Sequence, residues 1–153
     1  MSDLRIEPAT LDDLSDLTEL LGELFTQEED FTPNREKQLR GLRLILEQPS
    51  RGRIFVLRNH AKIIGMINLL ITISTAEGGF VLLLEDLVVH KEHRRQGYGA
   101  RLLKHAIDFA RQKNFLRITL LADQPGDSRR FYLKHGFVES GMVPMRYLFS
   151  HDA

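Results

Sequence analysis

Ten residues near the middle of the chain, Phe80-Val-Leu-Leu-Leu-Glu-Asp-Leu-Val-Val89, are apolar except for one acidic pair. A strand with one wet face alternates polar and apolar residues, so a run this continuous suits a strand covered on both faces. A basic turn follows, Arg94-Arg95-Gln96-Gly97-Tyr98-Gly99-Ala100. Gly97 then opens a helix whose inward positions are Leu103, Ala106, Ile107 and Ala110. A strand buried on two faces needs a layer on each, so this unit calls for a sheet packed between helices.

The rest of the chain fits that plan. Arg5 to Pro8 reads as a short strand, and Thr10 as the cap of a helix with Leu14, Leu17, Leu21, Leu24 and Phe25 on one face. A second helix starts near Asn34 and ends at Gln48-Pro49. Strands Ile54–Arg58 and Ile63–Ile73 flank the hairpin loop Asn59-His60-Ala61. Beyond the third helix come a strand over Arg117–Ala122 and a short helix over Ser128–His135, stopped by Gly136. Two further strands are expected at Phe137–Glu139 and Met145–Phe149. The fold class is α/β (α+β): a mixed sheet with helices on both faces, in one domain spanning 1–153.

Composition removes several functions. With 21 basic and 21 acidic residues the formal net charge is zero, against the basic field of a general nucleic-acid or membrane-surface binder. No cysteine is present, which excludes a disulfide framework, a thiolate zinc site and a cysteine nucleophile. The expectation is a cytoplasmic domain, since no apolar run approaches the roughly 18 residues of a membrane helix. The zero total conceals an asymmetry. Residues 7–30 hold nine acids and no Lys or Arg, while residues 90–105 hold five bases against Glu92 alone.

Within that basic segment, glycines allow backbone N–H groups close to an anion, and the helix N-terminus adds partial positive charge. Arginines add bidentate contacts to phosphate oxygens. The turn is no P-loop, because no Gly-Lys-Ser/Thr follows. It also fits a Rossmann fingerprint poorly, since Leu102 occupies the third glycine position. A different nucleotide-binding enzyme is disfavoured on both grounds.

Taken together, Leu82-Leu-Leu-Glu-Asp-Leu-Val-Val89, Arg94-x-x-Gly97-x-Gly99-Ala100 and Phe131-Tyr132-x-x-x-Gly136-Phe137 resemble the GNAT superfamily of acetyl-CoA-dependent N-acetyltransferases. The resemblance implies that the sheet is mostly antiparallel and splays between its fourth and fifth strands. It places the coenzyme A pyrophosphate on the turn, from Arg94, Arg95, Gln96, Gly97, Tyr98, Gly99 to Ala100. The pantetheine arm would lie along Leu87, Val88 and Val89 like an added strand. Ser128 would contribute from the last helix, although Pro125 stands where the family often has an asparagine.

For chemistry, the resemblance makes Tyr132 the acid that reprotonates the leaving thiolate. Glu85 is the preferred base, with Asp86 as the alternative. Neighbours on a regular strand face opposite sides, so only one would face the cleft. Asp123 is a third carboxylate suited to orienting substrate or tyrosine. His90 and His93 lie in a loop rather than on one helix face, and no metal is expected.

The acceptor would be a primary amine of a small molecule or peptide. Glu28, Glu29 and Asp30 form an acidic rim suited to a cationic amine. The layout also resembles acetyltransferases of small phosphorylated or phosphonylated amines, which would need Arg43, Arg129 or Arg146. A non-catalytic coenzyme A sensor on the same fold is the alternative function. The resemblance also allows a homodimer, with no interface marked in the sequence.

Overall fold

A computed structural model describes residues 3–27, 34–123 and 126–149. The chain divides into two compact units, Met1–Leu121 and Ala122–Ala153.

In the first unit, β1 (Leu4–Pro8) is followed by a 3-10 turn (Leu11–Asp13) that leads directly into α1 (Leu14–Gln27). The expected cap at Thr10 therefore sits on the 3-10 turn, where the Asp13 carboxylate accepts the Thr10 N–H at 2.9 Å. Helix α2 (Arg35–Leu46) starts where expected, and Asn34 caps it, its side chain accepting the Lys37 N–H at 3.1 Å. Then come β2 (Gly52–Asn59), β3 (Lys62–Ser74), β4 (Gly79–Val89), α3 (Tyr98–Gln112) and β5 (Ile118–Leu120). Among the described residues the sheet order is β1-β2-β3-β4-β5; the first four strands pair antiparallel, and β5 joins β4 in parallel.

Strand alternation distributes the core. Ile54, Val56, Met66 and Val88 face one side and pack with Leu14, Leu17, Leu21 and Leu42 of α1 and α2. The intervening Phe55 packs edge-on against His105 and Phe109 of α3, with ring centroids 4.6 and 5.1 Å apart. Helices thus cover both faces. Leu102, Leu103 and Ala106 of α3 are fully buried. Gly65 of β3 permits that close approach, for an added Cβ would stand 3.0 Å from the Leu102 Cδ1.

The β3–β4 ladder contains one irregularity. Leu69 pairs with Leu84, yet Asn68 pairs with Asp86, so Glu85 is an extra residue with no counterpart on β3. This bulge inverts the alternation of β4. Leu84 shares a face with Leu69, while Asp86 and Val88 share the opposite face with Asn68 and Met66.

The second unit contains α4 (Asp127–Lys134), which ends as expected before Gly136, at φ +95°. The expected strands Phe137–Glu139 and Met145–Phe149 do not form: residues 137–149 carry no regular structure. A strand exists through ladder bonds, and apolar or β-branched content cannot supply a partner. Pro144 removes one donor as well. The fifth strand, expected over Arg117–Ala122, is limited to Ile118–Leu120 because only these residues pair with β4.

Candidate active site

Three rungs join β4 to β5: Leu82 with Ile118, Leu83 with Thr119, and Leu84 with Leu120. Pairing stops where Glu85 bulges. Beyond it, Asp86–Val89 remain paired with β3, and among the described residues no further residue of β5 pairs with β4. Bulges bend a strand and increase its twist, which separates it from a neighbour. The splay expected between the fourth and fifth strands is present, and Leu87, Val88 and Val89 lie along it.

The basic turn lies at the end of this edge. His90 caps a 3-10 turn, Lys91–His93, its Nδ1 accepting the Glu92 N–H at 3.3 Å. The Arg94 Nε donates to the Val89 carbonyl at 3.0 Å, closing off the last acceptor of β4. Arg95 and Gly97 adopt left-handed backbone, with φ +65° and +80°. Gly97 caps α3 without a side-chain acceptor, and the first helical bond is from the Arg101 N–H to the Gly97 carbonyl at 3.1 Å. The N–H groups of Tyr98, Gly99 and Ala100 therefore have no acceptor within the helix. A run of backbone donors, a helix N-terminus and arginines is a donor set suited to pyrophosphate. Gln96 and Arg95 are exposed; Arg94 is half-buried.

One carboxylate anchors the turn from outside it. The Glu23 Oε1, on the last turns of α1, accepts the Lys91 N–H at 2.9 Å. Its Oε2 lies 3.4 Å from the His90 Nε2, and Oε1 lies 3.7 Å from an Arg94 terminal nitrogen. Nothing in the sequence singles out Glu23, one of nine acids in its segment.

The two candidate bases differ sharply. Glu85, at the bulge, is exposed; Asp86 is 8% exposed and accepts a bond from the Asn68 Nδ2 at 2.9 Å. Strict alternation, which would place this pair on opposite faces, does not hold at a bulge. Asn68 is 2% exposed, and its Oδ1 has no hydrogen-bond partner. Sequence reasoning missed it because a lone asparagine in a long strand carries no local signal.

The remaining predicted residues belong to other segments of the chain. Glu28, Glu29 and Asp30 fall outside the described residues. Asp123, Ser128 and Tyr132 belong to the second unit, where Asp123 and Ser128 are exposed and Tyr132 is half-buried. The Tyr132 ring packs edge-on with Phe131 and Phe137, at 5.1 and 5.5 Å. There, too, Arg129 hydrogen-bonds Glu139, which holds that carboxyl below its ordinary pKa. Among the described residues, no group of three or more His, Cys, Asp or Glu is placed to hold a metal. No helix among them is long and apolar enough to cross a membrane.

A mixed sheet whose fourth and fifth strands part beside a basic turn at a helix N-terminus is a mixed α/β fold with an anion-binding turn, and comparison with known proteins places that fold in a family. The chain belongs to the acetyltransferase (GNAT) family, whose model matches residues 14–137. Its class, an N-acetyltransferase enzyme, follows from that family and from similarly named relatives. It is 29% identical to the aminoalkylphosphonate N-acetyltransferase of Salmonella typhimurium over 137 residues, covering 89% of this chain and 86% of the relative. It is 35% identical over 66 residues to streptothricin acetyltransferase A of Bacillus subtilis, a match covering 42% of this chain and only 38% of that protein. Among solved structures, a possible acetyltransferase from Clostridium difficile 630 superposes with TM-score 0.88 at 19% identity, covering 97% of this chain and 99% of that one. An aminoglycoside acetyltransferase from an uncultured soil metagenomic sample gives TM-score 0.75 at 22% identity, covering 97% of each chain.

Proposed function

We propose that this protein transfers the acetyl group of acetyl-CoA to a primary amine of a small molecule. The observation that carries this reading is the loss of β4–β5 pairing at Glu85, beside a turn that presents backbone donors and arginines. Acetyl-CoA supplies the activated acetyl group; the chain binds it, orients it and handles the protons. The turn from Arg94 to Ala100 holds the pyrophosphate, and the edge of Leu87–Val89 turned away from β3 bonds the pantetheine amides as an added strand would, the Val89 carbonyl being taken by the Arg94 Nε.

An amine nucleophile must be neutral. With a pKa near 10.4, only about one lysine-like amine in 2,500 is deprotonated at pH 7, a deficit of about 4.6 kcal/mol. A carboxylate that takes the proton in place offsets part of this. Glu85 serves as that base, directly or through water, because its exposure leaves it accessible. Tyr132 returns a proton to the departing thiolate, and Asp123 orients substrate or tyrosine. These roles rest on the motifs rather than on geometry between the two units. Glu28, Glu29 and Asp30 favour a cationic acceptor, as an aminoglycoside or streptothricin would be. The relative matched over most of the chain is named instead for an aminoalkylphosphonate.

A thiol-release assay with an aminoalkylphosphonate, an aminoglycoside and a polyamine tests the proposal. Turnover of one of these amines is expected, and Tyr132→Phe should lower kcat at least tenfold with coenzyme A affinity unchanged. Tight coenzyme A binding without turnover of any amine would replace the enzyme by a sensor on the same fold. No coenzyme A binding would remove the reading altogether.

A further inference from the structure

We propose that Glu23 is a positioning residue for the cofactor turn, acting through its hydrogen bond to the backbone N–H of Lys91. The inference rests on the reading of Arg94–Ala100 as the pyrophosphate site. It adds a residue on a different element, with no part in the motif, that sets the shape of that site.

Lys91 opens the 3-10 turn between β4 and the left-handed residues Arg95 and Gly97. The first N–H groups of such a turn find no acceptor within it and need one from outside. Glu23 supplies it at 2.9 Å. The same carboxylate lies against the His90 imidazole and the Arg94 guanidinium, while the Arg94 Nε holds the Val89 carbonyl. Three consecutive features of the segment, the end of β4, the start of the 3-10 turn and the first turn arginine, are thus tied to one side chain of α1. That side chain is only 21% exposed, so its carboxylate is held at the turn by its surroundings as well as by these bonds. Fixing His90–Arg94 before ligand arrives fixes where the amides from Arg95 onward point, which is preorganisation of an anion site.

The geometry also provides a way to remove the bond from its other end. His90 has φ −51° and ψ +136°, a ψ outside the helical region and within the range open to a residue before proline. Lys91→Pro therefore deletes the donor at a first-turn position that tolerates proline. Lys91→Ala is its reference, since it removes the same charge and keeps the N–H.

The test combines coenzyme A binding by calorimetry, steady-state kinetics and amide hydrogen exchange of the ligand-free protein. Glu23→Ala should raise the coenzyme A Kd and the acetyl-CoA KM about tenfold, with kcat and the amine KM within twofold. Exchange at Lys91 should accelerate at least tenfold in the free protein. Glu23→Gln still offers a carbonyl oxygen to Lys91 and should stay within about threefold of wild type. Lys91→Pro should lose about tenfold relative to Lys91→Ala, and combining it with Glu23→Ala should add nothing further.

Unchanged affinity in Glu23→Ala would overturn the proposal. So would a loss in Glu23→Gln equal to that in Glu23→Ala, or full additivity of the double variant. Wild-type protein that does not bind coenzyme A would instead remove the reading of the site, and hydrogen exchange would still report whether Glu23 orders the turn.

Discussion

Deleting Glu85 is the perturbation that most directly tests how the cleft is built. The β3–β4 ladder holds six rungs on one side of this residue, Gly79–Leu84 against Leu69–Ser74, and four on the other, Asp86–Val89 against Gly65–Asn68. Removing Glu85 joins the two halves into one regular ladder in which every side chain keeps its face. Val81, Leu82, Leu84 and Val88, all 4% exposed or less, stay buried where they are. The stability change should remain within about 1 kcal/mol, a Tm shift of at most about 2–4 °C. Deleting Leu83 is the contrast. A regular ladder then draws Leu84 into the place of Leu83 and the Glu85 carboxylate into the buried place of Leu84. Losing a core leucine costs about 2–5 kcal/mol, and an unpaired buried charge adds several more. A loss of at least about 4 kcal/mol corresponds to a Tm lower by about 8–16 °C. Thermal melts of both variants, followed by coenzyme A calorimetry, provide the readout. Deletion of Glu85 should leave a folded protein whose coenzyme A affinity falls at least tenfold, because β4 no longer bends from β5. Equal destabilisation by the two deletions would refute the register argument. Folded, fully binding protein lacking Glu85 would refute the bulge as the origin of the cleft.

Gly97→Ala meets no neighbouring atom, so its cost is the left-handed backbone alone: about 1 kcal/mol in stability, with weaker coenzyme A binding by calorimetry. His105 lies against Phe55, and burial depresses its pKa below the ordinary value, opposed by Asp108. Its neutral form is the folded one, so this contribution is complete above pH 6.5 and is lost as the pH falls below it. His105→Gln should flatten the difference in urea midpoint between pH 7.5 and 5. Arg58 bonds both Glu7 and the buried Asp13, and its hydrogen bond lowers the Glu7 pKa. The Glu7 contribution is present above about pH 4.5 and disappears as the pH drops through its lowered value. Arg58→Met should remove most of that acid dependence and, by taking the cation from the buried Asp13 carboxylate while the Thr10 N–H stays bonded to it, cost about 1–3 kcal/mol in chemical denaturation.

Much of the first unit was legible because its signals are local. Helical spacing in α1 and α3 marked the buried leucines. Asn34 and Gly97 marked where their helices begin, and the apolar run at Phe80–Val89 announced a strand inside the sheet. The cofactor turn was equally readable, since left-handed backbone, orphan helix donors and arginines all lie within seven consecutive residues. Leu102 escaped the inward set only because a helix buries a wider stripe than its most regular positions suggest.

The sequence by itself determined which segments are helices and inner strands, where the turn lies, and what kind of anion its donors suit. Each of those depends on residues within a turn or two of one another. Tertiary structure alone decided that Glu85 bulges, that Asp86 shares a face with Asn68, and that Glu23 reaches Lys91. It also decided that residues 137–149 form no strand. A ladder's register depends on the strand across from it, and an anchor between elements distant in the chain depends on how those elements pack. Neither is written in the spacing of residues along one segment.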